Sequence, residues 1–367
     1  MRKDYTPCLG CGILRPMEKR NPMRWSPAAI VLSLAIAWSV TGAETNDTER
    51  RLQRLEENLA QLDAKLSRQA NQLLWHQQLG NLAIIETISF VGPPPRSLTN
   101  PAPVASSNHV VLSATTFMPR DRGRFRKTPL AVLAHSEIHG NVASDEAVPV
   151  VRDLVRQGYA VIAPDYRGSS GYGPDFWKLI DYGGLEIEDV DAARRWMLEA
   201  HREIDPGRVG ILGWSHGGLI ALLTVFAHPE NYRACYAGVP VSDLEERIRI
   251  RGRGYEELFS APYHIGQTVA EAPEEYRRRS PAWNAGKLRT PLLIQANTND
   301  EDVNIQEVEK LINALQNAGK EFRCHIYTNE PGGHMFNRLD TAAARESRAE
   351  IWRFLSPFLK PPKKLEN

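Results

Sequence analysis

The stretch from Arg208 to Gly218 reads RVGILGWSHGG and contains the pattern G-x-S-x-G with Ser215 at its centre. The apolar residues before the pattern have the length of a buried strand, and the run after it has the composition of a buried helix. A sharp turn between a strand and a helix exposes the serine hydroxyl, and flanking glycines let backbone segments approach closely. The pattern therefore predicts that Ser215 is a nucleophile.

Strand-length apolar runs recur on both sides of this turn, and helix-period segments separate most of them. The runs occupy residues 129–134, 159–163, 208–212, 233–239, 291–296 and 322–327. Helices are predicted at about 187–201 and 304–318. This alternation predicts an α/β domain over residues 110–362, with a mainly parallel central sheet and helices on both faces. Residues 241–288 break the alternation and are interpreted as a small cap insertion.

A serine hydroxyl needs a base within reach, and the base needs an acid that orients it. Asp300 and His334 each follow a predicted strand, where the sites of parallel sheets form. Asp300 is preferred to Asp302, which is better placed to cap the next helix. His334 follows two glycines, whereas His325 lies within a predicted strand as a core or edge residue. The predicted catalytic residues are Ser215, Asp300 and His334.

An acyl-transfer site also needs donors for the oxyanion. The backbone amide of His216 is expected to be one of them. The second is expected from the loop that begins at His135, whose side chain is interpreted either as part of the site or as a structural hydrogen-bonding group. No metal or organic cofactor is implied by this chemistry.

Together these positions resemble the catalytic domain of the prolyl oligopeptidase family of serine peptidases over roughly residues 110–360. The likeness also rests on DYRGSSGYG from Asp165 to Gly173, on Glu188-Asp189-Val190, and on the DPGRVGILGWSHGG run that begins at Asp205. The resemblance implies an α/β-hydrolase fold and hydrolysis of small peptides through an acyl-enzyme. It makes Tyr166 a candidate oxyanion or substrate-binding residue.

Two features depart from the pattern of this family. The usual H-G-G-P segment is replaced by HSEI from His135 to Ile138, and no propeller-blade repeat precedes residue 110. Hydrolysis of carboxylic esters by the same residues is therefore an alternative activity. A non-catalytic binding protein on the same fold is disfavoured because all three catalytic positions hold competent residues.

The N-terminal segment has the pattern of a targeting sequence. Basic residues precede an uncharged run from Ser26 to Ala43 that ends in small residues. Residues 1–44 are therefore predicted to be a signal peptide, cleaved after Gly42 or Ala43, or an uncleaved membrane anchor. Either interpretation predicts export to a periplasmic or extracellular location, with membrane anchoring in the second case.

Leucines in heptad spacing follow this segment, at positions 52, 55, 59, 62, 66 and 73. They predict a coiled-coil helix over residues 45–80, which would form a stalk or a homo-oligomer. The alternative is an amphipathic helix that lies against the catalytic domain. Residues 81–109 are predicted to be a linker because residues 92–107 contain five prolines.

Charge and cysteine content limit the partners. Lysine and arginine number 45 against 44 acidic residues, so the net charge of +1 does not favour nucleic acid, and a small peptide or ester substrate fits better. The arginines at alternate positions from 247 to 253 are interpreted as a solvated face rather than a carboxylate site. Cys235 and Cys324 lie in predicted strands with another strand between them and are expected to be buried free thiols.

Overall fold

An eight-stranded sheet forms the centre of the computed structural model, which describes residues 42–96, 109–121, 127–142 and 147–363, with side chains from residue 48. The strands are β1 (Ala83–Gly92), β2 (Val110–Pro119), β3 (Thr128–Ala134), β4 (Ala160–Asp165), β5 (Ile204–Trp214), β6 (Ala234–Gly238), β7 (Leu292–Asn297) and β8 (Arg323–Tyr327). Their order is β1-β2-β4-β3-β5-β6-β7-β8. The pairs β1–β2 and β2–β4 are antiparallel and all others are parallel, as predicted for a mainly parallel sheet.

Helices connect most of the strands. They are α1 (Gly42–Leu79), α2 (Ala147–Gln157), α3 (Pro174–Trp177), α4 (Glu186–Ala200), α5 (His216–Ala227), α6 (Leu244–Arg251), α7 (Arg253–Ser260), α8 (Pro273–Arg278), α9 (Ile305–Asn317) and α10 (Ala342–Leu359). Short 3₁₀ segments occupy Pro229–Asn231, Pro281–Lys287 and Gly333–Met335. The helices predicted at 187–201 and 304–318 correspond to α4 and α9.

The sheet is covered on both faces, which confirms the predicted layers. Successive side chains of a strand point to opposite faces, and in β3 Leu130 and Val132 belong to one hydrophobic cluster while Leu133 belongs to the other. Helices α4, α5 and α9 contribute to the first cluster, and α2 and α10 contribute to the second. Strand β3 is buried along its whole length, as expected for a parallel strand between two helical layers.

Strand β1 lies within the segment that the sequence analysis assigns to a linker, residues 81–109. It pairs with β2 along its full length, for example Phe90 with Leu112. At this edge of the sheet only Ala83, Phe90 and Gly92 of β1 are buried. The strand therefore lacks the continuous apolar run by which the interior strands were recognised. Residues 97–108, which include part of the proline-rich stretch, lie outside the described residues.

The predicted cap corresponds to the excursion between β6 and β7. Residues 241–288 contain α6, α7, α8 and the 3₁₀ segment Pro281–Lys287. Asp243 is the N-cap of α6, since its side chain accepts a hydrogen bond from the amide of Glu246. The cap is therefore a set of short helices beside the carboxyl ends of the central strands.

The two cysteines lie on β6 and β8 with β7 between them, as predicted, and both are free thiols. Cys235 is buried, in agreement with the sequence analysis. Cys324 is exposed, so the expectation of a buried thiol is wrong at that position. The physical reason is that β8 is an edge strand whose first three residues face solvent.

The predicted signal peptide or anchor, residues 1–44, falls almost entirely outside the described residues, and its targeting role stays a prediction. Within the described part of the chain, no helix combines the length and the apolar content that crossing a bilayer requires.

A fully buried ion pair joins the loop after β4 to helix α4. Arg167 donates from Nε to Asp189 Oδ2 and from Nη2 to Asp189 Oδ1, both at 2.7 Å, and neither side chain is exposed. The Arg167 amide also donates to Asp189 Oδ2, and Nη2 donates to the carbonyl oxygen of Pro93. These bonds fix the loop that follows β4.

Replacement of Asp189 by Ala should lower the free energy of unfolding by about 3–5 kcal/mol, because it leaves a buried guanidinium without its counter-charge. Urea denaturation followed by tryptophan fluorescence measures the change. Glu257→Ala is the matched control, since it breaks a pair with Arg253 in which both side chains are largely exposed, and it should change little. Equal stability of Asp189→Ala and wild type would contradict the structural role of the pair.

Candidate active site

Ser215 occupies a strained turn between β5 and α5. Its φ of 55° and ψ of −122° are unusual for a residue with a side chain. Its amide donates to the carbonyl oxygen of Gly238 at 2.9 Å. A Cβ atom on Gly213 would lie 2.0 Å from Gly217 O, and one on Gly217 would lie 2.4 Å from Ala134 O. Only glycine fits these two positions, as the G-x-S-x-G pattern indicates.

The structure brings the predicted acid and the predicted histidine into direct contact. Asp300 Oδ2 lies 2.7 Å from Nδ1 of His334. Asp300 Oδ1 accepts hydrogen bonds from the amides of Asp302 at 2.8 Å and Val303 at 2.9 Å. Because the loop backbone holds one carboxylate oxygen, the other has a fixed direction toward the imidazole. The D-x-x-V spacing thus folds into a turn that positions the carboxylate.

Ser215 and His334 line the same cleft, which has a volume of about 250 Å³. Within the described residues, no hydrogen bond joins their side chains. Nε2 of His334 instead lies 3.6 Å from Asp302 Oδ2. In unliganded sites such bonds are often long and tighten when substrate binds. The arrangement therefore has the components of a catalytic triad, with the serine and the imidazole facing a common space.

Asp302 does not cap the helix that follows it, and the prediction of that role is wrong. Helix α9 begins at Ile305, and its cap is Asn304, whose side chain accepts from the amide of Gln306 at 2.9 Å. Asp302 is too early in the chain to reach those amides. Its Oδ1 accepts a hydrogen bond from Nη2 of Arg247 at 3.0 Å, so it belongs to the cleft.

Arg247 is a cleft residue that the sequence analysis places on a solvated face. It is only 2% exposed, whereas the Arg249 side chain is 62% exposed. Its guanidinium donates to Asp302, to Glu307 Oε2 at 3.2 Å and to the Tyr255 hydroxyl at 2.9 Å, while its Nε has no partner among the described residues. One cation is thus paired with two carboxylates inside the site. The solvated-face interpretation is wrong for Arg247.

The three candidate oxyanion or substrate residues all lie close to the nucleophile but are already hydrogen-bonded. The His216 amide donates to the carbonyl oxygen of Ser136 at 3.2 Å. The His135 ring lies 2.9 Å from Ser169 Oγ through Nε2 and 3.0 Å from the Tyr166 hydroxyl through Nδ1. His135 and Tyr166 are buried in this network. The oxyanion roles of His216, His135 and Tyr166 stay predictions.

Buried histidines near the nucleophile are held in the neutral form. Burial lowers the pKa of His135 to about 3, of His139 to about 4 and of His264 to about 3, and it lowers the pKa of His216 well below the ordinary value. Neither ring nitrogen of His216 or His264 has a hydrogen-bond partner within the described residues. The Tyr182 ring lies between them, with its centroid 4.6 Å from that of His216 and 6.0 Å from that of His264. His216, Tyr182 and His264 therefore form an uncharged aromatic cluster next to the nucleophile.

The depressed pKa of His264 should make stability depend on pH. Between pH 6.5 and about 3, His264 binds a proton in the unfolded chain but not in the folded protein. This residue therefore lowers the free energy of unfolding as the pH falls. His264→Phe removes that proton. The free energy of unfolding of the variant minus that of wild type should therefore grow by up to about 1.4 kcal/mol for each pH unit by which the pH falls below 6. Urea denaturation at pH 7.5 and pH 5 tests this, and parallel pH dependences would contradict it.

Comparison with known proteins identifies the family of the part of the chain that contains this site. The model of the prolyl oligopeptidase family matches residues 149–361, more than half of the chain. The chain belongs to the prolyl oligopeptidase family. The matched residues run from α2 to the end of the described structure and include Ser215, Asp300 and His334.

Two relatives match part of this chain and are longer than it. The chain is 31% identical over 178 residues to the uncharacterized peptidase YuxL of Bacillus subtilis (strain 168), a match that covers 48% of this chain and 26% of that protein. It is 24% identical over 232 residues to the human acylamino-acid-releasing enzyme, covering 62% of this chain and 31% of the enzyme. The match thus spans between a quarter and a third of these relatives.

Solved structures share the fold. A puromycin-hydrolyzing peptidase of Mycobacterium tuberculosis superposes with a TM-score of 0.60 at 20% identity, over 76% of this chain and 40% of that one. An acylaminoacyl peptidase of Pyrococcus horikoshii gives 0.60 at 19% identity, over 81% and 44%. The sheet, its helical layers and the turn at Ser215 constitute an α/β-hydrolase fold.

Proposed function

We propose that this chain is a serine peptidase that hydrolyses small peptides through an acyl-enzyme on Ser215. The observation that carries the proposal is the 2.7 Å contact between Asp300 and His334 in the cleft that also contains the strained serine. Membership of the prolyl oligopeptidase family supports the peptidase assignment, as do relatives named as an acylamino-acid-releasing enzyme and a dipeptidyl peptidase.

The chemistry follows from the positions of these three side chains. Ser215 Oγ attacks the carbonyl carbon of the scissile bond while Nε2 of His334 takes its proton. Asp300 accepts a hydrogen bond from Nδ1–H, which keeps the imidazole in the required tautomer and stabilises its charged form. His334 then gives the proton to the leaving amine. A water molecule, deprotonated by the same imidazole, releases the acid from Ser215.

The charges in the cleft indicate which substrates it accepts. Arg247 is paired with two carboxylates, those of Asp302 and Glu307, and the adjoining His216 is neutral. Arg247 therefore has no unpaired positive charge to offer an acidic side chain of the substrate, and leaving a buried charge unpaired is costly. We therefore expect acidic side chains to be disfavoured beside the scissile bond.

A fluorophosphonate probe tests the nucleophile. Wild-type protein should be labelled and Ser215→Ala should not, while Ser260→Ala, which changes a serine on a cap helix whose hydroxyl donates to Glu257 O, should label like wild type. Labelled wild-type enzyme should cleave aminoacyl or acyl-aminoacyl anilides. Cleavage of p-nitrophenyl acetate without any anilide would replace the peptidase assignment with a carboxylesterase, and labelling of Ser215→Ala would refute the nucleophile.

Two neighbouring carboxylates allow a matched test of the orienting acid. Asp300→Asn should lower kcat/KM by about 10³- to 10⁴-fold, because a side-chain amide beside Nδ1 favours the wrong imidazole tautomer. Asp302→Asn should have a far smaller effect, since Asp302 lies on the Nε2 side and already pairs with Arg247. Steady-state kinetics on an anilide measure both. Equal losses in the two variants would contradict the orienting role of Asp300.

A further inference from the structure

A stripe of leucines along α1 is exposed to solvent. Six leucines in this stripe have 50% to 72% of their surface accessible to solvent: Leu52, Leu55, Leu59, Leu62, Leu66 and Leu73. An apolar stripe of this length, interrupted only by Gln69 between Leu66 and Leu73, is uncommon on a surface that stays in water and marks an interaction site. With Leu52 at heptad position a, all six leucines fall on positions a and d.

A different face of the same helix packs on the catalytic domain. From residue 57 to the end of α1 the buried or half-buried positions are 61, 64, 68, 71, 72, 75 and 79. Trp75 and Leu79 enter a hydrophobic core cluster, and the Arg68 guanidinium lies 4.2 Å above the Tyr172 ring while Nη1 donates to its hydroxyl at 3.0 Å. The leucines are therefore not the surface with which this helix attaches to its own domain.

The charges beside the leucines indicate which kind of helix packs on the stripe and whether the two helices run parallel or antiparallel. Within the stripe the e positions carry Glu56 and Asp63, and the g positions that face them in a parallel pair carry Arg51 and Asn58. In a parallel pair of identical helices, the e row of one faces the g row of the other, so acidic residues meet basic or neutral ones. In an antiparallel pair e faces e and g faces g, and the registers that pair most of the leucines then set acidic residues of the e row against each other, for example Glu56 against Asp63.

We propose that the exposed leucine stripe of α1 forms a parallel two-stranded coiled coil with a second copy of this chain. The occupant is inferred to be a second copy because the sequence provides both halves of the charge pattern. Four heptads alone are marginal as isolated helices. Here Trp75 and Leu79 hold the C-terminal end of the helix on the domain, so part of the ordering entropy is already lost before association.

Light scattering of the purified full chain in a non-ionic detergent tests the assembly. The protein mass should be twice the 41.2 kDa of one chain. The double substitution Leu59→Lys/Leu66→Lys should give a monomer, because it places charges in the apolar seam. The control Ala60→Lys/Ser67→Lys adds the same charges at the exposed neighbouring positions and should remain a dimer. Far-UV circular dichroism checks that both variants keep their helix content.

Cysteine cross-linking tests the direction of the helices. In a background with Cys8, Cys11 and Cys324 changed to Ser, oxidation of Leu52→Cys should yield disulfide-linked dimers, because an a position meets its own counterpart only in a parallel pair. Ala60→Cys, which points away from the seam, should not cross-link efficiently. A monomeric wild type, a trimer or larger assembly, equal disruption by both lysine pairs, or absence of the Leu52→Cys cross-link would overturn the proposal.

Discussion

The close approach of three backbone segments around Ser215 is the constraint on which the site depends. The serine has a positive φ, which costs on the order of 1–3 kcal/mol and persists only because the surrounding structure enforces it. Its amide bonds to Gly238 O at the end of β6, and its carbonyl oxygen accepts from Val241 N at 3.2 Å. On the other side, Gly217 leaves no room for a side chain against the end of β3. The nucleophile is thus held because β5 lies between β3 and β6 in the sheet.

Buried polar contacts extend this order to the loops around the nucleophile. The Arg167–Asp189 pair fixes the loop after β4 to α4, and the His135 ring bonds to Tyr166 and Ser169 from that same loop. Satisfied networks of this kind specify one loop conformation, because any alternative would leave buried polar groups without partners. The residues that give the segment DYRGSSGYG its family resemblance therefore support the walls of the cleft. Their contribution is structural, in addition to any direct contact that they make with substrate.

Helix α1 packs on its own domain through a face other than its leucine repeat, and the coiled coil that the repeat predicts stays a proposal. One face lies against the catalytic domain through Arg68 and Trp75, as an amphipathic helix would. The leucines of the other face remain exposed and have the spacing of a coiled coil. A helix whose leucines lie on a different face from its contacts with the catalytic domain can pack on that domain and associate with another molecule at once.

The sequence by itself determined the interior strands, the α/β class and the three candidate catalytic residues. Each of these depends on local information: a continuous apolar run, a G-x-S-x-G turn, or a residue that directly follows a strand. Only the tertiary structure decided that β1 is an edge strand, that Arg247 turns into the cleft and that the His216 amide is paired with Ser136. Leu244, three residues before Arg247 and fully buried, shows that this face of α6 points inward. The two carboxylate partners of Arg247, however, lie 55 and 60 residues along the chain. Contacts between such distant segments depend on how the sheet orders its strands, and no local pattern of residue types records them.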